Sequence, residues 1–289
     1  MFDKIRDALR HKEQLLHVPR VTPRQPPRPA LQQNPPLPVV ELFTGTTTET
    51  ATPLMRPPDT IKGNIDHSGH LRLLAKNDAG AVKLSIDALT ASRQRLTVLY
   101  GAAAEVSGYM TGGGMLDVMT ITKSGETVAA YPVFKAGNPR PARITRITEC
   151  ENGFAGQIEV FTDGGTLDFF DALYFRNKGV YAPGRDVNVL LAGIAYVMAR
   201  IRSPGDDSLI VRYEGGDVDD YVFRGTALDV SEFMAMGRKA WAIKTSLRLG
   251  PESPPRDFYI CATSGALQEK ISPGDRISGI IWLQGFAIL

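Results

Sequence analysis

With 289 residues, 43% of them hydrophobic and 22% charged, the chain has the apolar content for a large buried core and is neither fibrous nor wholly disordered. Thirty-three Lys and Arg face 31 Asp and Glu, a formal charge of +2, which excludes the strongly basic surface of a nonspecific nucleic-acid coat protein. Two cysteines, Cys150 and Cys261, exclude a disulfide framework of the secreted kind and fit buried thiols in a reducing, cytoplasmic setting.

Residues 1–18 read as a short amphipathic helix. Phe2, Ile5, Leu9 and Leu16 recur at spacings of three, four and seven, while Lys4, Arg6, Arg10 and Lys12 fall mostly elsewhere. Charges interrupt this stretch, so it lacks the apolar core of a secretory signal, and Pro19 stops it. So short a helix is marginal alone in water and needs a surface, whether its own body, a membrane or a protein partner. The expectation is a protein partner.

Residues 19–60 read as a Pro/Thr-rich linker. Eleven of the 20 prolines lie between Pro19 and Pro58, with a Thr-rich patch at 44–52. Missing N–H donors and a fixed φ predict an extended, mobile tether with neither sheet nor helix. Its forty or so residues would reach on the order of 35 Å as a random coil. Pro23-Arg-Gln-Pro26 and Pro35-Pro-Leu-Pro38 have the PxxP spacing of SH3 ligands, which a Pro-rich linker also produces by chance.

Residues 61–141 read as a small β-rich region. Ile61–Ile65 and Leu71–Ala75 around Asp66-His-Ser-Gly69 predict a hairpin, and Asn77-Asp-Ala-Gly80 a turn leading into alternating Val82, Leu84 and Ile86. Residues 87–107 are ambiguous between helix and a strand at Leu96–Tyr100. Strands at Met115–Thr122 and Thr127–Phe134 flank a Lys123-Ser-Gly-Glu126 turn, and Asn138-Pro-Arg-Pro141 marks the boundary of the region.

Beyond it the sequence repeats itself. Tyr181-Ala-Pro-Gly-Arg-Asp-Val-Asn-Val-Leu-Leu returns about ninety residues later as Ile271-Ser-Pro-Gly-Asp-Arg-Ile-Ser-Gly-Ile-Ile. Upstream, Phe154-Ala-Gly with Ile158 and Val160 resembles Phe223-Arg-Gly with Leu228 and Val230. Repetition predicts two related units, 142–202 and 203–289. In the second, strands are expected at Tyr221–Val230, Ala240–Leu249, Phe258–Thr263 and Arg276–Leu289, with Gly225, Gly279 and Gly285 where a barrel strand bends or coils. The apolar run Val189–Ala199 is too short to span a bilayer and reads as buried. The fold class expected is mostly β: tandem β-barrel-like (OB-like) units after a small β region, with a disordered Pro-rich arm carrying a short helix.

Catalytic signatures are weak. His67 and His70 are too few for a zinc site and read as an exposed hairpin tip. Gly112-Gly-Gly114 lacks the rest of a dinucleotide fingerprint, and no P-loop exists. Glu214-Gly-Gly-Asp217-Val-Asp-Asp220 departs from the EF-hand loop and reads as solvated. The aromatic stretch from Leu167 to Arg176 reads as core, its Asp168 and Asp171 capping turns or meeting Arg143 and Arg146. The same stretch has two functional readings: a stacking platform in which Phe175 is joined by Arg176 and Lys178, or carboxylates holding Mg²⁺. Trp282 is expected inside and Trp241 partly exposed; Arg238, Lys239, Trp241 and Lys244 interleave aromatic and basic character.

These readings converge on a non-enzymatic adaptor without cofactor or metal, whose helix docks a protein through Phe2, Ile5, Leu9 and Leu16. The alternative is single-stranded nucleic-acid binding through Phe175, Arg176, Lys178, Arg238, Lys239, Trp241 and Lys244.

Overall fold

Strands dominate the described residues, which in this computed structural model are 37–51, 61–63, 67–75, 77–100, 104–112, 114–150, 153–202, 208–249 and 253–288. The helix expected at 1–18, with Phe2, Ile5, Leu9 and Leu16, lies outside them, as does the linker through residue 36.

The first half begins with β1 (Thr46–Ala51), β2 (Ile61–Gly63), a 3₁₀ helix (His67–Leu73) and α1 (Asp78–Thr90). Four strands follow: β3 (Gln94–Tyr100), β4 (Ala104–Met110), β5 (Leu116–Lys123) and β6 (Glu126–Phe134). They form a five-stranded sheet ordered β1-β3-β4-β5-β6, antiparallel except for the β1–β3 pair. β1 corrects the expectation of an unbroken tether. The β-branched Thr46-Thr-Thr run suits a pleated strand, and Leu42 and Phe43 just before it are core residues.

Two further expectations in this half are corrected. Ile61–Gly63 pairs with Thr148–Cys150 in parallel, and the 3₁₀ helix takes the place of the hairpin's return strand. Val82, Leu84 and Ile86 lie on α1, because Asn77 is an N-cap: its Oδ1 accepts the Gly80 N–H at 2.9 Å. A helical period of 3.6 then places Ala81 and Ala88 on the buried side. Replacing Asn77 with Ala is expected to cost about 1 kcal/mol and lower Tm by about 2–4 °C in a calorimetric scan.

The second half comprises β7 (Arg140–Cys150), β8 (Gly156–Thr162), β9 (Gly165–Asp171), α2 (Tyr174–Asn177), a 3₁₀ turn (Lys178–Val180), β10 (Asp186–Arg200), β11 (Leu209–Arg212), β12 (Asp220–Ala235), β13 (Arg238–Leu247), β14 (Arg256–Thr263) and β15 (Arg276–Ile288). The hydrogen-bonded order closes on itself twice. One ring runs β7-β8-β9-β15-β10 and back to β7; the other runs β12-β13-β14-β10-β15 and back to β12. β10 and β15 pair with each other along most of their length and belong to both rings. The N-terminal part of β10 bonds β7, and its middle bonds β14. Residues 276–282 of β15 bond β12, and residues 284–285 bond β9. Each repeat thus lends its last strand to the other, and no cut between 202 and 203 leaves a closed ring on either side.

Within this second half, the two repeats match one another in detail. Gly184 N–H donates to the Ile144 carbonyl at 2.7 Å and Ile144 N–H to the Arg185 carbonyl at 2.9 Å. Gly274 and Asp275 make the same pair of bonds with Ala227, at 2.7 and 2.9 Å. A bulge follows each site, between Ile144 and Arg146 and between Ala227 and Asp229. The Pro-Gly motifs are therefore true equivalents. The upstream motifs are not: Phe154-Ala-Gly leads into β8, a second strand, whereas Phe223-Arg-Gly lies in β12, a first strand.

Alternation along the shared strands divides two cores. Val189 and Leu191 of β10, with Ile277, Ile281 and Leu283 of β15, join the ring interiors. Leu190, Ala192 and Ile194, with Trp282 and Phe286, pack with residues of the five-stranded sheet. α1 lies on that sheet too, where Thr120 Oγ1 donates to the Ser85 carbonyl. Among the described residues no helix is long and apolar enough to cross a membrane.

Candidate functional site

A groove runs between α1 and the first half of β6. Its volume is about 590 Å³, and its apolar lining includes Leu71, Val82, Ile86, Leu89, Val128 and Ala129. Val82 and Ile86 are 59% and 51% exposed, among the largest apolar exposures of the described residues. They stand one helical turn apart on α1, so they form one apolar ridge. Charges on the rim are paired, Arg72 with Asp78 at 2.7 Å and Lys83 with Asp87 at 2.7 Å. An apolar strip between paired charges suits an apolar side chain of a partner more than an ionic ligand.

A polar cluster is buried behind the groove, reached through the same 3₁₀ helix. Gly69, Leu71 and Arg72 line the groove, while His70 is 7% exposed and stacks on Trp282 with ring centroids 4.1 Å apart and planes at 11°. His70 Nδ1 lies 3.0 Å from the Tyr196 hydroxyl, which donates to Asp220 Oδ1 at 2.7 Å. Trp282 Nε1–H donates to Asp219 Oδ2 at 2.9 Å. Tyr196 occupies a bulge in β10, between Ala195 and Val197, and packs on the same core as Leu190, Ala192 and Ile194. Burial pushes both Asp219 and Asp220 up to about 7, against the hydrogen bonds of Trp282 and Gln157 on the first and of Tyr196 on the second. These findings correct two expectations: His70 is no exposed hairpin tip, and the end of the 214–220 loop is not solvated.

The residues nominated for nucleic acid are held elsewhere. Phe175 is fully enclosed and offers no face to a base. Arg176 forms a two-pronged ion pair with Glu49 at 2.8 Å, and buried Lys178 donates to Glu149 at 2.9 Å and to the Gly153 carbonyl at 2.6 Å. Arg238 donates to the Leu74 carbonyl at 2.6 Å, Lys239 pairs with Glu232 at 2.7 Å, and Lys244 pairs with Asp257 at 2.7 Å. Trp241, half-buried, packs on the ring interior; Lys244, three residues along the same strand, leaves from the opposite face.

Asp168 and Asp171 also leave β9 from opposite faces. Asp168 is held by Arg146 at 2.9 Å and by Arg212. Asp171 accepts Tyr181 O–H and, at 2.9 Å, Leu173 N–H, and burial pushes it up to about 7. Arg143 meets Asp186 instead. Gly112 is anchored by its N–H bond to buried Asp117 at 2.8 Å. Among the described residues, no three His, Cys, Asp or Glu side chains gather as a metal-holding group.

The groove escaped the sequence reading because its helix was read as a strand; the Asn77 cap was the available signal. The buried cluster joins residues up to 212 positions apart, from His70 to Trp282, and carries no local signature. The chain matches no protein-family model, and no curated protein matches it in sequence.

Proposed function

We propose that the chain is a non-enzymatic binding and adaptor protein, a component of a larger assembly. Its ring-built body holds one protein partner at the α1 groove, and residues 1–18 dock a second through Phe2, Ile5, Leu9 and Leu16. The observation that carries this reading is the exposed Val82–Ile86 ridge beside an open apolar groove with a charge-neutral rim. A tether between two contacts raises the effective concentration of the second.

The test is affinity capture from native extract, with and without nuclease, using the intact chain and a Val82→Asp/Ile86→Asp variant. The variant is expected to lose at least about tenfold of the specifically captured partner with Tm nearly unchanged, since both side chains are already exposed. Equal capture by both chains overturns the groove as the contact surface.

The alternative is single-stranded nucleic-acid binding, and the ring topology favours it. Three meandering strands, a short helix, and a parallel join of the third strand to the last support an OB-like reading of the first ring. Fold likeness alone does not supply a site, and the nominated cations are already occupied. Salt-insensitive or absent binding in an oligonucleotide anisotropy titration removes this alternative.

A further inference from the structure

The arrangement of four distant segments around His70 carries more than packing. We infer that the carboxylate pair Asp219 and Asp220, with His70 and Tyr196, is a proton-operated latch that holds the 3₁₀ helix His67–Leu73 onto the fused rings. The helix also lines the α1 groove, so the latch sets that groove's shape; this last step alone rests on the groove being a binding surface.

Hydrogen-bond accounting fixes the direction of the relay. Tyr196 has one hydroxyl proton and gives it to Asp220. While the pair's proton sits on Asp219 and Asp220 is ionised, His70 Nδ1, 3.0 Å away, donates to the Tyr196 oxygen, so Nδ1 carries a proton in that state. The order is His70 N–H to Tyr196, and Tyr196 O–H to Asp220. Asp220 Oδ2 accepts the Asp217 N–H at 2.9 Å, which fixes the carboxylate's second oxygen. Asp219 is tied to the indole on which His70 is stacked. The 3₁₀ helix therefore meets the pair by two routes, one through Tyr196 and one through Trp282.

Among the described residues, the titratable groups facing the pair include His70 from the 3₁₀ helix, Tyr196 from β10 and exposed Asp217 from the same loop. β8 and β15 contribute the neutral Gln157 and Trp282. Two adjacent buried carboxylates interact, so their protons leave in steps that belong to the pair. With one proton retained, the enclosed site carries a single negative charge. When that proton passes to solvent, two like charges are enclosed beside a third at Asp217, and no other bond forms or breaks. The repulsion and the lost solvation are relieved by drawing 217–220 toward water, which separates Asp220 from Tyr196 and frees His70. Acid shuts the latch and alkali loosens it.

The experiment uses the full chain carrying Trp241→Phe, which leaves Trp282 as the single indole of the two in the sequence. Trp282 fluorescence is followed from about pH 5.5 to about pH 9, and amide exchange is followed at Leu74 and Ala75, whose N–H groups both donate to the Leu71 carbonyl at 3.0 Å. One fluorescence transition is expected, together with a fall in protection of at least about tenfold after correction for the chemical exchange rate. Asp220→Asn should flatten both. Should that variant fail to fold, NMR titration of the His70 ring in the parent chain replaces it, with a step expected at the fluorescence midpoint. A parent chain without a transition overturns the latch, as does a transition unchanged in Asp220→Asn or a His70 ring that titrates independently. Val82→Asp should leave the transition in place, so failure of the groove and failure of the latch read out separately.

Discussion

Raising the pH from about 5.5 to about 8.5 is expected to lower the Tm by on the order of 10 °C, the reverse of ordinary acid denaturation. Asp171, Asp219 and Asp220 are each pushed up to about 7 by burial. In the unfolded chain they return to the usual carboxylate value near 4. Between those limits the folded state binds more protons than the unfolded one, so stability falls as pH rises, by about 1.4 kcal/mol per pH unit for each proton retained, one on Asp171 and one shared by the coupled Asp219–Asp220 pair. Their contribution is fully present below the unfolded value and is lost as pH climbs through about 7. The opposite case, Asp186 held low by its bond to Arg143, acts only in acid and leaves this window untouched. Asp171→Asn isolates one group: the amide can still accept the Leu173 N–H, and Tyr181 can donate or accept as needed. It should raise the Tm at the alkaline end, leave the acid end nearly unchanged, and flatten the slope. A calorimetric series in which stability rises steadily with pH, or in which Asp171→Asn changes nothing, contradicts this account.

Gly285→Ala and Gly279→Ala are expected to cost about 3 kcal/mol or more each, read as the shift of the urea midpoint at constant m-value. A β-carbon on Gly285 would stand 2.2 Å from the Leu190 carbonyl oxygen, and one on Gly279 the same distance from the Val197 carbonyl oxygen. Both obstructions are backbone atoms of β10, the strand to which β15 is bonded, so no side-chain rotation relieves them. Gly285 lies where β15 has passed from β12 to β9, and the two chains approach closely there. Gly179→Ala is the control. Its β-carbon would meet nothing within 4 Å and its φ is not positive, so the change should be near neutral or slightly stabilising. Losses of similar size at Gly179 and Gly285 would locate the effect in the unfolded chain and not in the crossing of β10 and β15.

Much of the second half was legible because its signals are local. Pro183-Gly184 and Pro273-Gly274 announce equivalent turns, and the alternating runs that follow become the two shared strands. The burial of Trp282 and of the Phe169–Phe175 aromatics likewise follows from apolar density. The exchange of final strands was invisible, because every pairing that creates it joins residues far apart in the chain. In the first half, the Thr-rich run at 46–50 was hidden by the prolines on either side of it. The Val82, Leu84, Ile86 pattern satisfies a period of two as well as it fits a helix, and the Asn77 side chain decides between them. The buried cluster was missed for a different reason. Acidic residues next to glycines suggest solvent, and only the burial of Asp219 and Asp220 and the stacking of His70 reveal an enclosed site.

The strand exchange between the repeats has a consequence for biosynthesis. A ribosome that has translated only as far as β14 has made six of the ring strands besides β10, yet neither ring can close, because both wait for the same segment, 276–288. Until that segment emerges, the nascent chain carries strand edges open to neighbouring polypeptides, the condition under which cotranslational misassembly is most costly. Maturation of both rings is thereby set by one late event.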